Sequence, residues 1–364
     1  MLDLPQDLRP GDGRFGSGPS KIRSESIDAL KAAAPSLLGT SHRRQGVRTV
    51  VGRIRSGLSE LFDLPDDYEV ALGNGGTSLF WDIASLCLIE RRSQHLSFGE
   101  FSSRFAAVAA SAPHLETPEI IQAPPGERPD PVSSDVDAYA LTQNETSTGV
   151  MAPVLRPDPG GLVMVDATSA AGAMQVDPRQ FDAYYFAPQK AFGSEGGLWV
   201  ALLSPAAIDR ATTLATTRWC PPMLDLPIAV EESRRNQTLN TPALSTLFLL
   251  ADQIDWILGQ GGLAWSTRRC ASSAGIVYRW AEASDHADPF VVDPDHRSTT
   301  IATIDMVGVD AGAVADVLEH NGIVDLRGYR KLGRNQLRIA TFPAIETEDV
   351  ERLVAAIDWI VERL

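Results

Sequence analysis

The run Asp182-Ala-Tyr-Tyr-Phe-Ala-Pro-Gln-Lys190-Ala-Phe-Gly-Ser-Glu-Gly-Gly197 leads out of an apolar stretch and presents one lysine. Tyr184 to Ala187 has the aromatic, apolar character of a core strand, and Pro188 stops it before Gln189 and Lys190. Gly197 to Leu203 follows as a second apolar strand. A lysine at a strand end between two buried strands loses hydration, and desolvation lowers an amine's pKa towards the range of a nucleophile or base. That is the chemistry of a lysine that condenses with a carbonyl. An arbitrary lysine is far more often a solvated turn residue, so the assignment needs a partner.

Leu162-Val-Met-Val-Asp166-Ala-Thr-Ser169 supplies one: an apolar strand that ends in a carboxylate. Parallel strands deliver their carboxyl ends to a common edge, so Asp166 and Lys190 can face one crevice. Pyridoxal 5'-phosphate requires such a pair, an anion to keep its ring nitrogen protonated and an amine to carry its aldehyde. Taken alone, a strand-terminal aspartate often caps the next turn.

Further elements must position the pair. Glu69 to Leu72 reads as a strand, Gly73-Asn-Gly-Gly-Thr-Ser78 as a loop and Leu79 to Ile89 as a helix. Strand, glycine loop and helix start can cradle a phosphate with backbone N–H groups, and a plain strand-helix turn is an equal reading. The loop lacks the Gly-Lys-Ser/Thr ending of a nucleotide P-loop. Gln94 to Phe98 and Asp137 to Thr142 are strands, and Gly99-Glu100-Phe101 opens a helix. Ser41-His42-Arg43 precedes Val47, Val50, Val51, Ile54, Leu58 and Leu61, an apolar stripe at helical spacing, so His42 and Arg43 stand at a positive helix end. Helices are predicted over 24–38, interrupted at Pro35, and over 205–214, 244–258 and 263–284, while 231–242 is polar and irregular. Asn240 and Thr241 precede the 244–258 helix and read as its cap. Beyond it the pattern predicts strands at 290–293, 299–304, 323–326 and 336–341, a helix over 311–320, and a closing amphipathic helix from Val350 to Leu364.

At 364 residues the chain exceeds what one compact core usually serves. The expected division is an arm over 1–13, a large domain over 14–258 and a small domain over 259–364. No apolar run has membrane-span length and the start lacks a signal peptide's pattern, so a cytoplasmic location is expected. Cys87, Cys220 and Cys270 form no Cys-x-x-Cys pair and read as buried free thiols rather than a disulfide frame or metal site. A net charge of -15 argues against nucleic acid and anionic membranes as partners. Two basic islands interrupt it, Arg43 to Arg55 and Arg327 to Arg338, which suit a small, multiply anionic ligand.

Several ordered motifs together, Phe15-Gly-Ser-Gly-Pro-Ser20, Gly39-Thr-Ser-His-Arg43, Gly73-Asn-Gly-Gly-Thr77, Asn144-Glu-Thr146, Asp166-Ala-Thr-Ser169, Ala187-Pro-Gln-Lys190, Asn240-Thr-Pro242 and Gly328-Tyr-Arg330, resemble the phosphoserine aminotransferases. These are class V, fold-type I pyridoxal-phosphate enzymes, and the likeness is strongest to their actinobacterial branch. The resemblance implies an α/β fold, with a large domain built on a mostly parallel seven-stranded sheet flanked by helices and a smaller C-terminal α/β domain. It implies transamination between O-phospho-L-serine with 2-oxoglutarate and 3-phosphohydroxypyruvate with L-glutamate, and also action on 4-phosphohydroxy-L-threonine in vitamin B6 synthesis.

By the same resemblance Lys190 and Asp166 are catalytic, and Gly76, Thr77, Phe101, Thr146, Gln189, Asn240 and Thr241 hold the cofactor. Phe101 would lie on the pyridine ring, Thr146 at its hydroxyl, and Asn240 with Thr241 would reach the phosphate across a homodimer with shared active sites. His42, Arg43, Arg330 and Arg338 would bind substrate. Two departures stand out. Asn74 and Thr77 replace a glycine and an arginine of many relatives, and Tyr329 replaces a histidine, which leaves Lys331 or Arg334 to complete phosphate recognition. The rivals are another class V enzyme, such as a small-amino-acid transaminase or a cysteine desulfurase-like lyase, and a non-catalytic phosphometabolite-binding protein. Desulfurases carry His before the lysine, where this chain has Gln189.

Overall fold

The structure is a computed structural model that describes residues 2–158 and 160–364. Its central sheet is formed by β1 (Glu69–Asn74), β2 (Ser93–Ser97), β3 (Glu119–Gln122), β4 (Ala138–Thr142), β7 (Leu162–Asp166), β8 (Ala183–Phe186) and β9 (Leu198–Leu203), while β5 (Asn144–Glu145) and β6 (Val150–Met151) make a separate small hairpin. The order is β1-β9-β8-β7-β4-β2-β3, and only β9 runs antiparallel to its neighbours. A mostly parallel sheet of this kind is covered on both faces, which is why its strands read as unbroken apolar runs.

Alternate residues serve two cores. Leu72, Val163, Val165, Tyr184, Phe186 and Val200 face α2 (Gln45–Leu61) and α7 (Leu244–Gln260). Ala71, Met164, Ala183, Tyr185 and Ala201 face α3 (Thr77–Cys87), α4 (Glu100–Ser111), α5 (Pro205–Ala215) and α6 (Leu226–Arg234). A third core lies under the antiparallel sheet of β10 (Ala287–Pro289), β11 (Ile301–Met306) and β12 (Gln336–Ala340), closed by α8 (Gly262–Ala283), α9 (Ala311–His320) and α10 (Thr347–Val361). The opening segment lies against this unit. Leu4 is buried with its N–H on Asn321 Oδ1 at 2.9 Å, and the Gly11 N–H meets Asp349 Oδ1 at 2.6 Å. Among the described residues no helix is long and apolar enough to cross a membrane.

Several predicted elements differ in the structure. The first helix, α1 (Ser24–Leu37), runs through Pro35, which falls in its last turn and costs it one N–H donor while Leu38 still donates to the Ala34 carbonyl. β1 extends to Asn74 and α3 begins at Thr77, so the glycine loop is only two residues long. α6 begins in residues given no element and runs into the first four of the 231–242 stretch read as irregular. It is short and turns only Leu226, Val230 and Ser233 inward, too few for a stripe, although Asp225 caps it by accepting the Ile228 N–H. The strand predicted at 290–293 lies at Ala287–Pro289, and 323–326 makes a single isolated bridge, Val324 with Arg14 from the opening part of the chain. Asn240 and Thr241 do not cap α7, whose first turn follows Ala243 without any side-chain cap.

Asp182 ties the strands together from a buried position. Its Oδ2 accepts from Arg156 Nη1 at 2.7 Å and from the Val163 N–H at 2.8 Å, and its Oδ1 from Ser204 Oγ at 2.8 Å. One carboxylate thus joins the start of β7 and the end of β9 to the entry of β8. Asp182→Ala orphans three donors and is expected to lower the unfolding free energy by about 3 kcal/mol. Urea unfolding of the purified variant checks this, and an unchanged midpoint would remove Asp182 as a structural tie.

Candidate active site

The parallel strands discharge at one edge of the sheet, and the candidate residues gather there. β7 ends at Asp166, β8 leads through Pro188 to Gln189 and Lys190, and β1 leads to Gly75 and Gly76. Asp166, Lys190, Gln189, Gly76, Thr77, Phe101 and Thr146 line one cavity of about 280 Å³.

Asp166 is buried at its base. Oδ1 accepts from the Thr168 N–H at 3.0 Å and from Thr168 Oγ1 at 2.6 Å, and Oδ2 accepts from Trp81 Nε1 at 3.1 Å. Burial raises its pKa, opposed by the Thr168 and Trp81 hydrogen bonds. Thr168 Oγ1 also lies 2.8 Å from Thr77 Oγ1. A hydroxyl has one proton, and the carboxylate is the stronger acceptor, so the Thr77 hydroxyl turns towards Thr168. Thr77 therefore faces the cavity mainly through its backbone. Its N–H and that of Ser78, in the first turn of α3, have no intrahelical acceptor. They form the positive pole of a helix at the cavity wall.

Lys190 Nζ donates to the Ser17 carbonyl, and the Ser20 hydroxyl donates to the Lys190 carbonyl. Burial, then the charge of Arg338, lower its pKa to about 8 against the pull of Asp166. Gly18 covers this amine at φ +132°, and a Cβ there would stand 2.2 Å from Nζ. Only glycine allows the backbone so close. On another wall, Thr146 Oγ1 donates to Ser169 Oγ at 2.7 Å.

Phe101 is held by a residue the sequence reading did not single out. Glu145 is fully buried, with Oε2 accepting the Phe101 N–H at 3.1 Å and the Ser102 N–H at 2.9 Å, so that its charge caps α4. A Cβ at Gly99 would strike Glu145 Cγ at 2.3 Å, which explains the glycine before the helix. Trp81, Arg104 and Thr168 were also missed, and all three line the cavity. For Trp81 the signal was a helix phase, since Thr77 and Trp81 are one turn apart on α3, and for Thr168 it was its place two residues after Asp166.

The cavity adjoins a cleft of about 460 Å³ that shares Gly18 and is lined by Arg330, Lys331, Tyr329 and Arg338. Arg338 is largely buried. Its Nη1 reaches the Thr146 carbonyl at 3.4 Å, its guanidinium lies 5.4 Å from the Tyr329 ring centre, and its Nε has no partner. Among the described residues it has no acidic partner, and burial lowers its pKa. Arg330 is exposed and likewise lacks one. Lys331 pairs with Glu100, and Arg327 with Asp316 and Glu319. Arg334, expected as a phosphate ligand, is instead neutralised by Asp305 through both carboxylate oxygens and does not line this cleft.

Four expected residues stand outside both spaces. His42 Nδ1 lies 3.0 Å from Thr241 Oγ1, Arg43 Nη1 donates to Gln237 Oε1 at 2.7 Å, and Asn240 Nδ2 touches Met223 Sδ at 2.5 Å. Asn74 Nδ2 holds the Thr241 carbonyl at 3.0 Å, which anchors this cluster beside the glycine loop. Arg43, Asn240 and Thr241 are exposed and His42 is half-buried.

The donor set fits pyridoxal phosphate: a buried carboxylate with no cation beside it, an amine of lowered pKa, an N–H cradle, and a hydroxyl and aromatic side wall. Comparison with known proteins agrees with the geometry. The class-V aminotransferase model matches residues 15–332. A phosphoserine aminotransferase of Nocardioides is 57% identical, covering 100% of this chain and 99% of its own length. The crystal structure of a phosphoserine aminotransferase from Cytophaga hutchinsonii superposes with a TM-score of 0.88 at 26% identity, covering 96% of this chain and 99% of that one. A phosphoserine aminotransferase from Trichomonas vaginalis, solved with pyridoxal phosphate bound, shares the fold with a TM-score of 0.81 at 20% identity, covering 95% and 99%. With an amine, a carboxylate and a phosphate cradle meeting at one sheet edge, and relatives matched end to end, the chain belongs to the class-V aminotransferases.

Proposed function

We propose that the protein is a phosphoserine aminotransferase that uses pyridoxal 5'-phosphate to exchange an amino group between O-phospho-L-serine with 2-oxoglutarate and 3-phosphohydroxypyruvate with L-glutamate. The observation that carries the substrate assignment is Arg338, a largely buried guanidinium without an acidic partner, in a cleft that opens beside Lys190 and also holds Arg330. A buried cation of that kind is stabilised by an anion that arrives with the substrate. The names of the Nocardioides and Cytophaga relatives support the same reading. 4-Phosphohydroxy-L-threonine presents the same pair of anionic groups and is a second substrate on this reading, as part of vitamin B6 synthesis. A cytoplasmic location accords with such a biosynthetic role.

When bound, the cofactor supplies an aldehyde to take up the amino group and a protonated ring to withdraw electrons from the substrate's Cα. Asp166 keeps the ring nitrogen protonated, because a buried carboxylate beside it favours the charged form. Gly76, Thr77 and Gln189 would hold the phosphate, Thr146 the ring hydroxyl, and Phe101 one face of the ring. Lys190 Nζ would be the amine that carries the cofactor and, once free, the group placed to take a proton from the substrate's Cα and return it as general base and acid. Its pKa of about 8 suits both duties near neutrality. Arg338 orients the substrate carboxylate, and Arg330 with Lys331 faces the phosphate.

The reading includes a homodimer. Asn240 and Thr241 lie outside the cavity of their own chain, yet they are joined to the glycine loop through Asn74. A twofold axis near that loop carries them, with His42 and Arg43, to the partner's cofactor phosphate and substrate, completing both sites. The chain divides on this view into a large cofactor domain over 14–258 and a small domain over 259–364, with residues 2–13 packed on the latter.

Covalent capture of pyridoxal phosphate by the apoprotein should rise with pH about a midpoint near 8, because only neutral Lys190 attacks a carbonyl. Arg338→Gln removes a repelling charge and should move that midpoint upwards, measured by borohydride trapping at Lys190; a midpoint left in place would show that Arg338 does not set the amine's pKa. Loss of two or three charge-assisted hydrogen bonds, each ~1.5–3 kcal/mol, should make serine at least about a hundredfold poorer than phosphoserine in kcat/KM. Arg330→Ala should narrow that ratio, and equal efficiency on both amino acids in the wild type would favour a general small-amino-acid transaminase. For the dimer, Lys190→Ala and the double change Asn240→Ala with Thr241→Ala are each inactivating, and reassembling them together should restore roughly a quarter of wild-type activity. Self-contained sites would restore none despite demonstrated subunit exchange.

A further inference from the structure

The bend after α5 is tied to the end of α3 by Arg218. Its Nη1 donates to the Leu86 carbonyl at 2.8 Å and the Ile89 carbonyl at 2.9 Å, and its Nη2 to the Glu90 carbonyl at 2.9 Å. These are the carbonyls that a helix end leaves unsatisfied, so the clamp is strong and fixes residues 218–220 beside the last turn. Cys87 is the final residue of α3, and its thiol donates to the Leu224 carbonyl at 3.4 Å. The chain thus passes Cys87 twice, at Arg218 and at Leu224, and Cys220 lies between. Both cysteines belong to the same core cluster, Cys87 buried and Cys220 partly buried at its edge with its thiol donating to the Pro221 carbonyl at 3.5 Å, so the two thiols are held in the same short bend. Trp219, next to Cys220, is 81% exposed, so the edge is open to solvent.

We propose that Cys220 and Cys87 are a thiol pair that hydroperoxides oxidise to an intrachain disulfide, with Cys220 as the attacking thiolate and Cys87 as the resolving thiol. The neighbouring Cys87 thiol, helped by the charge of Arg218, lowers the Cys220 pKa, whereas the Cys220 neighbour and then burial raise that of Cys87. The Cys220 sulfur attacks one peroxide oxygen, the O–O bond breaks, and the second oxygen leaves as hydroxide or alkoxide, giving a sulfenic acid. The Cys87 sulfur then attacks the Cys220 sulfur, displacing water as its own proton is lost. Two thiols lose two electrons and two protons, and the peroxide is reduced to water, or to water and an alcohol. A dithiol reverses the bond by exchange. Cys270 takes no part, because it is buried elsewhere with its pKa pushed up to about 12. The bond would link the end of α3 to the segment whose Met223 rests on Asn240.

The holoenzyme, treated with hydrogen peroxide and then digested without reduction, tests this. The expected result is a fall from three free thiols to one per chain, a Cys87–Cys220 peptide pair in the mass map, and recovery of all three with dithiothreitol. Cys87→Ser should leave a dimedone-reactive Cys220 without a disulfide, and Cys220→Ser should leave Cys87 unreacted. The wild-type map decides the matter even if a variant misfolds. Cys87 and Cys220 both recovered as free thiols, or Cys220 joined to a second chain in preference to Cys87, would overturn the proposal.

Discussion

The site depends on one electrostatic constraint, a carboxylate buried at the end of β7 that forms no salt bridge among the described residues. Asp166 is held ionisable by Thr168 and Trp81, yet burial pushes its pKa upwards, so its charged form is disfavoured in this low-dielectric wall. A protonated ring nitrogen removes that tension more completely than water does. Lys190 Nζ is instead held by the Ser17 carbonyl, and burial with the charge of Arg338 lowers its pKa to about 8. The two groups are thereby kept from collapsing into a simple salt bridge that would consume the nucleophile. Their separation follows from topology, because adjacent parallel strands β7 and β8 deliver them to one edge at different depths.

The arginines divide by the same logic. Arg327, Arg334 and Arg53 are matched by nearby carboxylates and serve the surface. Arg338 and Arg330 are unmatched, and both face the cleft beside Lys190. Other arginines, such as Arg104 and Arg218, also form no salt bridge among the described residues, and Arg218 spends its donors on backbone carbonyls. Arg338 differs in being largely buried with an unpartnered Nε at the wall of this cleft.

Much of this was legible in the chain. The apolar strands, the glycine loop and the Asp166–Lys190 pair were read at their positions because each is local: a run of residues ending in one functional group. What was not legible depended on contacts across the sequence. Arg334 looked as basic as Arg330, and only Asp305, twenty-nine residues away in sequence, distinguishes them. Glu145 gave no sign that it would cap α4 forty-four residues upstream at Phe101. Asn240 and Thr241 followed a capping pattern, but their polar groups bond to Met223, His42 and Asn74 instead. The 290–293 and 323–326 strands were misplaced because short edge segments carry too little alternation to fix a register.

The segment Phe15 to Ser20 joins the two sheets at the reacting amine. The Phe15 carbonyl accepts the Ala340 N–H at 3.2 Å, two residues beyond Arg338 on β12, and the Phe15 N–H donates to the Val324 carbonyl at 3.4 Å. Two residues on, the Ser17 carbonyl holds Lys190 Nζ, and the missing side chain of Gly18 is what lets the backbone lie against the amine. The strap is inextensible, since its residues are bonded at both ends. Residues 15–20 thus bind the sheet that carries Arg338 to the loop that carries Lys190, and the relative position of the two cationic groups is set by six residues of backbone rather than by either sheet alone.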